Sequence, residues 1–398
     1  MKILVVNCGS SSLKYQLLDM DAKTELAKGL LERIGIEGSE LTHEAPGKDK
    51  TKLKNYVANH TEGIRLVLDT LVHPAYGVLK SMKEVDAVGH RVVHGGAKFT
   101  ESALVTEEVM KAIEDCIVFG PLHNPANIAG IRACQELMPG VPQVAVFDTA
   151  FHQTMPPESF VYALPYEAYE KHGIRRYGFH GTSHCYVSRR AEEFLNKKGQ
   201  DFKLITCHLG NGASLAAILN GKCIDTSMGL TPLEGLVMGT RCGSIDPDIV
   251  DFLIDKEGFT TDQMKDYMNK QSGILGISGV SSDFRDVEEA AQAGNERAKL
   301  AWNIFAHKVR KYIGAYAAIM GGVDAIVFTA GLGENSSSMR LEICKTLGFL
   351  GVSIDPEKNK KRGLENDIST DDAKCRVIVI PTNEELMIAL DTQEIVAK

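Results

Sequence analysis

The feature that most constrains the fold is a polar, glycine-containing turn between two apolar strands, which occurs twice. The first copy lies in residues 2–19 with its turn at residues 7–14, and the second lies in residues 204–219. Each turn combines backbone N–H groups with hydroxyl or amide side chains, and Lys14 adds a cation to the first. Such groups suit phosphate oxygens. The repetition predicts a duplicated unit with one phosphate-contacting turn in each half.

The first turn is not a Walker A loop, because that motif opens a helix, whereas the residues after Lys14 continue the alternating pattern of a strand. An ordinary hairpin turn is the alternative for either copy taken alone. Two such turns facing each other across a nucleotide are typical of the actin, hexokinase and Hsp70 class of phosphotransferases. The predicted fold class is therefore α/β, with two duplicated actin-like (ribonuclease H-like) domains and a nucleotide cleft between them.

Length and charge narrow the function further. The 398 residues suffice for two domains with separate cores. A net charge of -8 argues against binding to nucleic acid or to anionic membranes through bulk charge. The nine cysteines form no Cys-x-x-Cys pair, which indicates buried thiols in a reducing compartment. With no basic leader and no apolar run of membrane-spanning length, we expect a cytoplasmic protein.

A buried strand over residues 86–93 places Arg91 and Val93 on one face and His90 and His94 on the other. The two histidines resemble a metal-binding pair, but such pairs usually lie on helices, so a structural role is favoured. A guanidinium in a buried strand needs an anionic partner. Asp148 follows another apolar strand, where α/β folds place ligand chemistry, although a capping role is the alternative.

The second half contains further candidate anion sites. Residues 175–184 combine arginines, an aromatic ring and histidines at a glycine-flanked helix start, although a capped turn would look similar. Arg241 lies between glycines in a long irregular segment, which indicates a second anion-directed guanidinium. Residues 330–336 follow a strand, and their glycines would let a flat ligand approach the backbone.

The chain ends in a helix whose start carries two adjacent glutamates. Thr382 and Glu385 fit a capping box, which would leave Glu384 available for another role.

Together these segments resemble the acetate kinases, over residues 7–14, 90–96, 148–152, 176–184, 208–212, 226–243, 328–336 and 382–385. The resemblance implies phosphoryl transfer between ATP/ADP and acetate/acetyl phosphate with Mg²⁺, or Mn²⁺ as an alternative. It implies a homodimer, and a C-terminal helix that returns to the first domain. The expected domains are residues 1–150 with 385–398, and residues 151–384, the latter binding nucleotide and forming the dimer interface.

The resemblance also implies roles for individual residues. Magnesium ligation falls on Asn7 and Glu384. Phosphate contacts fall on Ser10, Ser12, Lys14, His208, Leu209, Gly210, Asn211 and Gly212. The nucleoside pocket falls on Asp283, Phe284, Arg285, Gly331, Leu332, Gly333, Glu334 and Asn335. The acetate site falls on Arg91, Val93, Leu122, Phe179 and Pro232, while His180 and Arg241 would steady the transferring phosphoryl group and Asp148 would be a second acidic catalytic residue.

The chemistry favours cations over a general base. A carboxylate with a pKa near that of Glu, about 4.3, is already ionised at neutral pH. Bringing one pair of anionic charges to about 4 Å costs roughly 4 kcal/mol at an effective dielectric of 20. We therefore expect direct in-line transfer rather than a phospho-Glu384 intermediate, with Asp148 positioning Mg²⁺ or Arg91.

Two other functions remain open from sequence. A kinase for propionate or butyrate would have nearly the same pocket, since one methylene changes discrimination by only about 1 to 3 kcal/mol. An actin-like or Hsp70-like ATPase used as a binding module is the alternative outside the carboxylate kinases.

Overall fold

The computed structural model describes residues 1–121 and 123–398. The chain divides into two compact units, Met1–Phe151 with Asn383–Lys398, and His152–Thr382. These junctions lie one and two residues from the expected ones. The second differs because Asn383 caps the C-terminal helix, Glu384–Val396, which packs on the first unit's sheet, so the cap and first turn belong with that helix.

The first unit contains an eight-stranded sheet and the helices that cover it. The strands are β1 (Lys2–Cys8), β2 (Ser12–Asp19), β3 (Thr24–Glu32), β4 (Glu40–Glu44), β5 (Thr51–Lys54), β6 (Ala87–Val92), β7 (Ala103–Leu104) and β8 (Gln143–Phe147). The helices are α1 (His60–Leu71), α2 (Glu107–Asp115), α3 (Asn124–Leu137) and the C-terminal helix. Short 3₁₀ helices cover Met82–Glu84 and Cys116–Val118, and another, Ala150–Thr154, spans the first junction.

The strand order in this sheet is β5-β4-β3-β2-β1-β6-β8-β7, with β1, β6 and β8 mutually parallel. Alternation along β1 divides its side chains between two cores: Leu4 and Val6 join the cluster containing α1 and α3 residues, whereas Val5 packs with the C-terminal helix. Close approach of that helix requires a glycine, because a Cβ at Gly89 would lie 2.5 Å from Thr392 Oγ1. The C-terminal helix is thus packed directly against β6, the strand that carries Arg91.

The second unit contains a six-stranded sheet and most of the helices. Its strands are β9 (Lys203–Leu209), β10 (Ala213–Leu219), β11 (Lys222–Thr226), β12 (Ala325–Thr329), β13 (Asn366–Asp367) and β14 (Arg376–Val379). Its helices are α4 (Pro157–Phe160), α5 (Glu167–His172), α6 (Gly181–Phe194), α7 (Asp248–Glu257), α8 (Thr261–Lys270), α9 (Gly273–Ser278), α10 (Phe284–Gln292), α11 (Glu296–Met320), α12 (Ala330–Asn335) and α13 (Ser337–Cys344). Short 3₁₀ helices cover Gly348–Leu350 and Lys358–Lys360.

The order β11-β10-β9-β12-β14-β13 repeats the arrangement of the first unit. In each unit the first strand pairs on one side with an antiparallel hairpin partner, which in turn pairs with a third antiparallel strand. On its other side the first strand is followed by two parallel strands. This repeat confirms the predicted duplicated α/β unit. Helices α6 and α11 both pack on β9. This packing fixes the end of β9, and therefore the position of the β9–β10 turn that follows it. Among the helices of the described ranges, none has the length and apolar character needed to cross a bilayer.

Candidate active site

The β1–β2 turn places the first set of predicted phosphate-contacting residues. The Gly9 N–H donates to the Ser12 carbonyl at 2.8 Å and closes the turn, while Ser10 is exposed at its tip. Asn7 and Lys14 are direct cross-strand partners, so their side chains leave the same face of the hairpin. An amide oxygen and an ammonium group therefore lie side by side at this end of the first sheet.

Lys14 forms an ion pair with Glu385 in the C-terminal helix. With 53% of the Lys14 side chain exposed, this pair adds little stability, so it can be exchanged for another anion. The predicted capping box of Thr382 with Glu385 is wrong. The N-cap is Asn383, whose side chain accepts from the Leu386 N–H at 3.0 Å, because asparagine caps helices at least as well as threonine.

Arg91 has the anionic partner that its burial requires, and that partner is Asp148. The Asp148 Oδ2 atom accepts from Arg91 Nη2 at 2.6 Å and from Nε at 3.0 Å. The Asp148 N–H donates to the Val92 carbonyl, which prolongs the pairing of β6 with β8 and fixes the carboxylate. Attraction by Asp148 raises the pKa of Arg91 further above its usual value, so the guanidinium is a permanent cation.

Glu384, the first residue of the C-terminal helix, has a carboxylate with an unusual environment. Its Oε1 atom is shielded from solvent, and within residues 1–121 and 123–398 no group hydrogen-bonds to it. Burial raises the pKa of Glu384, and the nearby Arg91 opposes that rise. A shielded carboxylate oxygen next to fixed charges fits one ligand position of a hard divalent cation.

Protein groups alone do not complete such a metal site. In the described part of the chain no cluster of three or more His, Cys, Asp or Glu side chains is arranged to hold an ion. Mg²⁺ commonly takes one or two protein oxygens together with phosphate oxygens and water. The donor set of Asn7 and Glu384 fits that pattern, with a nucleotide supplying other ligands.

In the second unit, two stacked histidines lie beside the β9–β10 turn. The rings of His180 and His208 have centroids 4.1 Å apart and planes inclined by 21°. Nδ1 of His180 lies 2.9 Å from Ser214 Oγ, and Nδ1 of His208 lies 2.8 Å from Ser183 Oγ. His180 also holds a left-handed backbone with φ 57° just before α6, a conformation that is uncommon for a non-glycine residue and concentrates at functional sites.

The side chains of His180 and Arg241 both lie close to Gly212. A Cβ atom at this glycine would lie 3.4 Å from His180 Nε2 and 3.6 Å from Arg241 Nη2. Arg241 Nη1 donates to the Pro232 carbonyl at 2.9 Å. Burial lowers the pKa of Arg241, and no acidic side chain of the described residues offsets it. The structure thus brings together three predicted residues, His180, Gly212 and Arg241. The Arg241 guanidinium is partly buried, and its acceptors among the described residues are neutral.

A cavity of about 880 Å³ opens beside the same turn. Eight predicted residues line it: Gly210, Asn211, Asp283, Phe284, Arg285, Gly331, Leu332 and Asn335. Asp283 caps α10 by accepting from the Arg285 N–H at 2.9 Å. A hydrogen bond from the Arg285 side chain lowers the pKa of Asp283 to about 2, so the carboxylate is ionised at neutral pH.

Eight residues predicted to contact the nucleotide do not line this cavity: Ser10, Ser12 and Lys14 of the first unit, and His208, Leu209, Gly212, Gly333 and Glu334 of the second. Leu209 is fully buried, and a Cβ at Gly333 would lie 3.7 Å from its Cβ atom. The Glu334 side chain accepts from the N–H groups of Ala330 (2.8 Å) and Thr382 (3.1 Å). Gly333 and Glu334 are excluded because residues 330–335 form helix α12, so that only one side of the segment faces the cavity.

Six further residues line the cavity without having been assigned a role there, although one of them, Ser336, belongs to the predicted segment 330–336: Ser282, Glu288, Ser336, Ser337, Ser338 and Arg362. The serine run continues the glycine-rich segment, so its polarity was a usable signal. Arg362 has no such signal, because its place at the cavity depends on how the chain returns after α13.

The predicted acetate-site residues are distributed over both units. Val93 is buried next to Arg91 in the first unit, and its N–H donates to Asn127 Oδ1 at 3.1 Å. Phe179 is buried in the second unit, and Pro232 lies there at the start of the segment that leads to Arg241. Leu122 lies outside the described residues.

Comparison with known proteins gives consistent results over the full length. The family model described as "Acetokinase family" matches residues 2–390. The acetate kinase of Desulfitobacterium hafniense (strain DSM 10664 / DCB-2) is 63% identical over 398 residues, 100% of each chain. That of Clostridium novyi (strain NT) is also 63% identical over 398 residues, 100% of this chain and 99% of the relative.

Solved structures agree. The crystal structure of Porphyromonas gingivalis acetate kinase has 51% sequence identity and a TM-score of 0.96, covering 99% of both chains. A propionate kinase from Francisella tularensis subsp. tularensis SCHU S4 has 46% identity and a TM-score of 0.92, again covering 99% of both chains. The predicted actin-like α/β fold is thereby confirmed. By its sequence over almost its whole length and by its fold, the chain belongs to the acetokinase family.

Proposed function

We propose that this chain is an acetate kinase, which transfers the terminal phosphoryl group of ATP to acetate and reversibly forms acetyl phosphate and ADP. The observation that carries the proposal is 63% identity, over the whole chain, to relatives named acetate kinase. The acceptor is a carboxylate, so the enzyme is a phosphotransferase with a carboxyl group as acceptor. We further propose that it acts in the cytoplasm as a homodimer.

Binding of the carboxylate is assigned to Arg91, with Asp148 as its positioning partner. Both Arg91–Asp148 hydrogen bonds end on one carboxylate oxygen, which fixes the guanidinium through two of its nitrogens. With 23% of the Arg91 side chain exposed against 1% for Asp148, the exposed part of the pair is the cation. An exposed guanidinium edge beside the buried Val93 would suit a small organic acid with a short apolar tail.

The nucleoside is assigned to the 880 Å³ cavity of the second unit, and its phosphates to the two hairpin turns. Lys14, Ser10 and Ser12 offer donors at one turn, and the backbone around Gly212 offers donors at the other. Asn7 and Glu384 would hold Mg²⁺, which when bound neutralises charge on phosphate oxygens. The shielded, unpartnered Oε1 of Glu384 supports that assignment.

Stabilisation of the transferring group is assigned to His180 and Arg241. The acceptor carboxylate and the phosphoryl group are both anions, so the barrier is electrostatic rather than one of proton removal. Arg241 has only neutral acceptors around it among the described residues, which leaves its charge available for the phosphoryl oxygens. In-line attack by the carboxylate then needs no general base.

A propionate kinase is the second candidate, because a propionate kinase of known structure shares 46% identity with this chain. The test is to measure acyl phosphate formation, trapped as the hydroxamate, from ATP and acetate, propionate or butyrate side by side. We expect the highest kcat/KM with acetate. A higher value with propionate would favour the second candidate, and slow ATP hydrolysis that no carboxylate alters would contradict both.

A further inference from the structure

Arg176 holds a stretch of main chain that leads to the proposed acetate site. Its Nη1 atom donates to three successive carbonyls, those of Thr226 (2.9 Å), Ser227 (3.2 Å) and Met228 (3.2 Å). Its Nη2 atom donates to Glu234 Oε1 at 2.7 Å. The guanidinium thus ties both ends of the turn over residues 226–234 to one point, and only 17% of its side chain is exposed.

Glu234 and Tyr162 complete this arrangement, which we call the Arg176 clamp (Arg176, Glu234 and Tyr162). The Tyr162 hydroxyl donates to Glu234 Oε2 and accepts from the Leu230 N–H at 2.9 Å. Burial raises the pKa of Tyr162, so the hydroxyl keeps its proton. A Cβ at Gly229 would lie 1.8 Å from Glu234 Oε2 and 2.2 Å from Tyr162 Oη, so the turn closes over the two side chains only because glycine is present.

The clamp is connected to two proposed site residues through the main chain. Pro232 lies two residues before Glu234, within the turn that the clamp closes. The carbonyl of Pro232 accepts the hydrogen bond from Arg241 Nη1 at 2.9 Å. Displacing residues 230–234 would therefore move both the Pro232 ring and the acceptor that orients Arg241.

We infer that Glu234, held by Arg176 and Tyr162, is a positioning residue that sets both carboxylate selectivity and the placement of Arg241. The inference rests on the proposed function, since it takes Pro232 and Arg241 as site residues. The Arg176 clamp acts through the turn, and a displacement of about 1 Å in a catalytic group can cost on the order of 10²-fold in rate.

The test compares Glu234→Gln with the wild-type enzyme at full length. The substitution keeps the size of the side chain and removes the charge that accepts from Arg176 Nη2, while Asp225 remains 4.0 Å from Arg176 Nε. We expect kcat with acetate to fall by about 10²-fold and the acetate-to-propionate ratio of kcat/KM to change, with the KM for ATP within about twofold of wild type. Tyr162→Phe removes one hydrogen bond and is expected to change the same two quantities in the same direction, but less.

Glu365→Gln is the matched control. Glu365 forms a two-point ion pair with Arg190 of α6, with both contacts at 2.8 Å, and both residues are in the same unit but outside the turn over residues 226–234. A role in folding alone would make Glu234→Gln and Glu365→Gln alike, with a lower melting temperature and an unchanged kcat and acetate-to-propionate ratio. That result would overturn the inference.

The outcomes separate this inference from the proposed function. A wild-type enzyme that forms no acyl phosphate from any carboxylate contradicts the proposed function. An active wild type with a Glu234→Gln variant of equal kcat and selectivity contradicts only the inference. If Glu234→Gln does not fold, Tyr162→Phe decides: altered selectivity supports the inference, and unaltered kcat and selectivity overturn it.

Discussion

Charge compensation separates the two arginines that the sequence singles out. Arg91 is neutralised in part by Asp148, through two hydrogen bonds to one oxygen. Arg241 donates instead to a neutral carbonyl, that of Pro232. A compensated guanidinium is suited to orienting an acceptor carboxylate, whereas an uncompensated one is suited to the charge that develops during phosphoryl transfer. The residues therefore have different expected kinetic signatures.

Arg241→Ala is expected to lower kcat by about 10³-fold or more, as removal of an arginine that stabilises phosphoryl transfer commonly does. The KM values for ATP and acetate should change much less, because the interaction forms mainly in the transition state. Acyl phosphate formation under saturating substrates measures this. Arg190→Ala, which removes an ion-paired arginine of α6, serves as the control. A loss of less than tenfold would remove Arg241 from the mechanism.

Asp148→Asn is expected to raise the KM for acetate and lower kcat while the protein stays folded. The amide keeps the shape of the side chain, but Arg91 loses the charge that orients its guanidinium. Kinetics over a range of acetate and Mg²⁺ concentrations distinguish positioning of Arg91 from positioning of the metal. Full activity with an unchanged Mg²⁺ dependence would show that Asp148 does neither.

His90 gives a pH-dependent contribution to stability. Burial lowers its pKa from 6.5 to about 4, and its Nε2 atom lies 2.8 Å from Gln143 Oε1. Between those pH values the unfolded chain binds the proton more readily than the folded chain, so the free energy of unfolding falls as the pH is lowered. The full shift corresponds to about 3 kcal/mol, present above pH 6.5 and lost towards pH 4.

His90→Gln should therefore show a shallower decline of the free energy of unfolding over this pH range. Urea denaturation at a series of pH values measures the slope for both proteins. Some decline will remain, because burial also lowers the pKa of His184. Identical slopes for wild type and variant would mean that His90 is not the titrating group.

For individual residues, the sequence predicted correctly that a buried arginine needs an anionic partner. It predicted a helix cap wrongly, because that prediction used only the spacing of residues along the chain. The burial of Arg91 implied an anion, and Asp148 supplies it from just beyond the end of the next parallel strand, β8. The capping box at Thr382 was wrong because Thr382 and Asn383 are adjacent candidate caps, and spacing alone cannot rank them. The choice depends on tertiary contacts, among them the hydrogen bond between Thr382 and Ser183.

Among the elements, both glycine-turn hairpins were predictable because their determinants are local. Apolar alternation fixes the strands, and a glycine within a few residues fixes the turn. Helix α12 was not predictable, since two glycines in six residues oppose a helix. Arg340, from the following helix, donates hydrogen bonds to carbonyls at the end of α12 and so stabilises it.

Arg340 is fully buried and has no carboxylate partner among the described residues. Its Nη1 atom donates to the carbonyls of Gly333 (2.7 Å) and Glu334 (2.9 Å), and its Nη2 atom to that of Asn359 (2.6 Å). Burial lowers its pKa to about 10, so the side chain is still charged at neutral pH. The guanidinium thus satisfies carbonyls near the end of α12, and three other residues of that helix, Gly331, Leu332 and Asn335, line the cavity proposed for the nucleoside.

Arg340→Met should raise the KM for ATP by roughly tenfold, because unpaired buried carbonyls cost about 1 to 3 kcal/mol and α12 would shift. The KM for acetate should change little, since the acetate site is assigned to other elements. Asn359→Ala removes a second support of Arg340 and should act in the same direction. A raised KM for acetate with an unchanged KM for ATP would contradict this assignment of α12.

For the whole molecule, the repeated sheet explains why two weak motifs predicted a complete fold. The orders β3-β2-β1-β6-β8 and β11-β10-β9-β12-β14 are the same arrangement written twice. The short strands β7 and β13 are equivalent antiparallel partners of β8 and β14, whereas β4 and β5 have no counterpart among the described strands. These four strands have two to five residues each. Strands that short carry too few alternating positions to be recognised from sequence.

Whether the phosphoryl group passes directly to acetate or first to Glu384 depends on the whole site rather than on one residue. Acetate is itself a carboxylate, so a relay through Glu384 would replace one carboxylate attack by two of the same kind and lower no barrier. The Oε1 atom of Glu384 is moreover shielded from solvent, and burial raises the pKa of that group, which disfavours the anion that would have to attack. As a ligand of Mg²⁺ the same carboxylate would be ionised, because the cation favours the deprotonated form.

One direct displacement inverts the configuration at phosphorus, whereas two displacements restore it. We therefore expect inversion when ATP with an isotopically chiral terminal phosphoryl group is converted to acetyl phosphate and the product is analysed by nuclear magnetic resonance. Retention would establish an even number of transfers and contradict direct transfer to acetate. A phosphorylated Glu384 would also place a phosphoryl group near the Asp148 carboxylate that pairs with Arg91, so the charges of the first unit favour inversion.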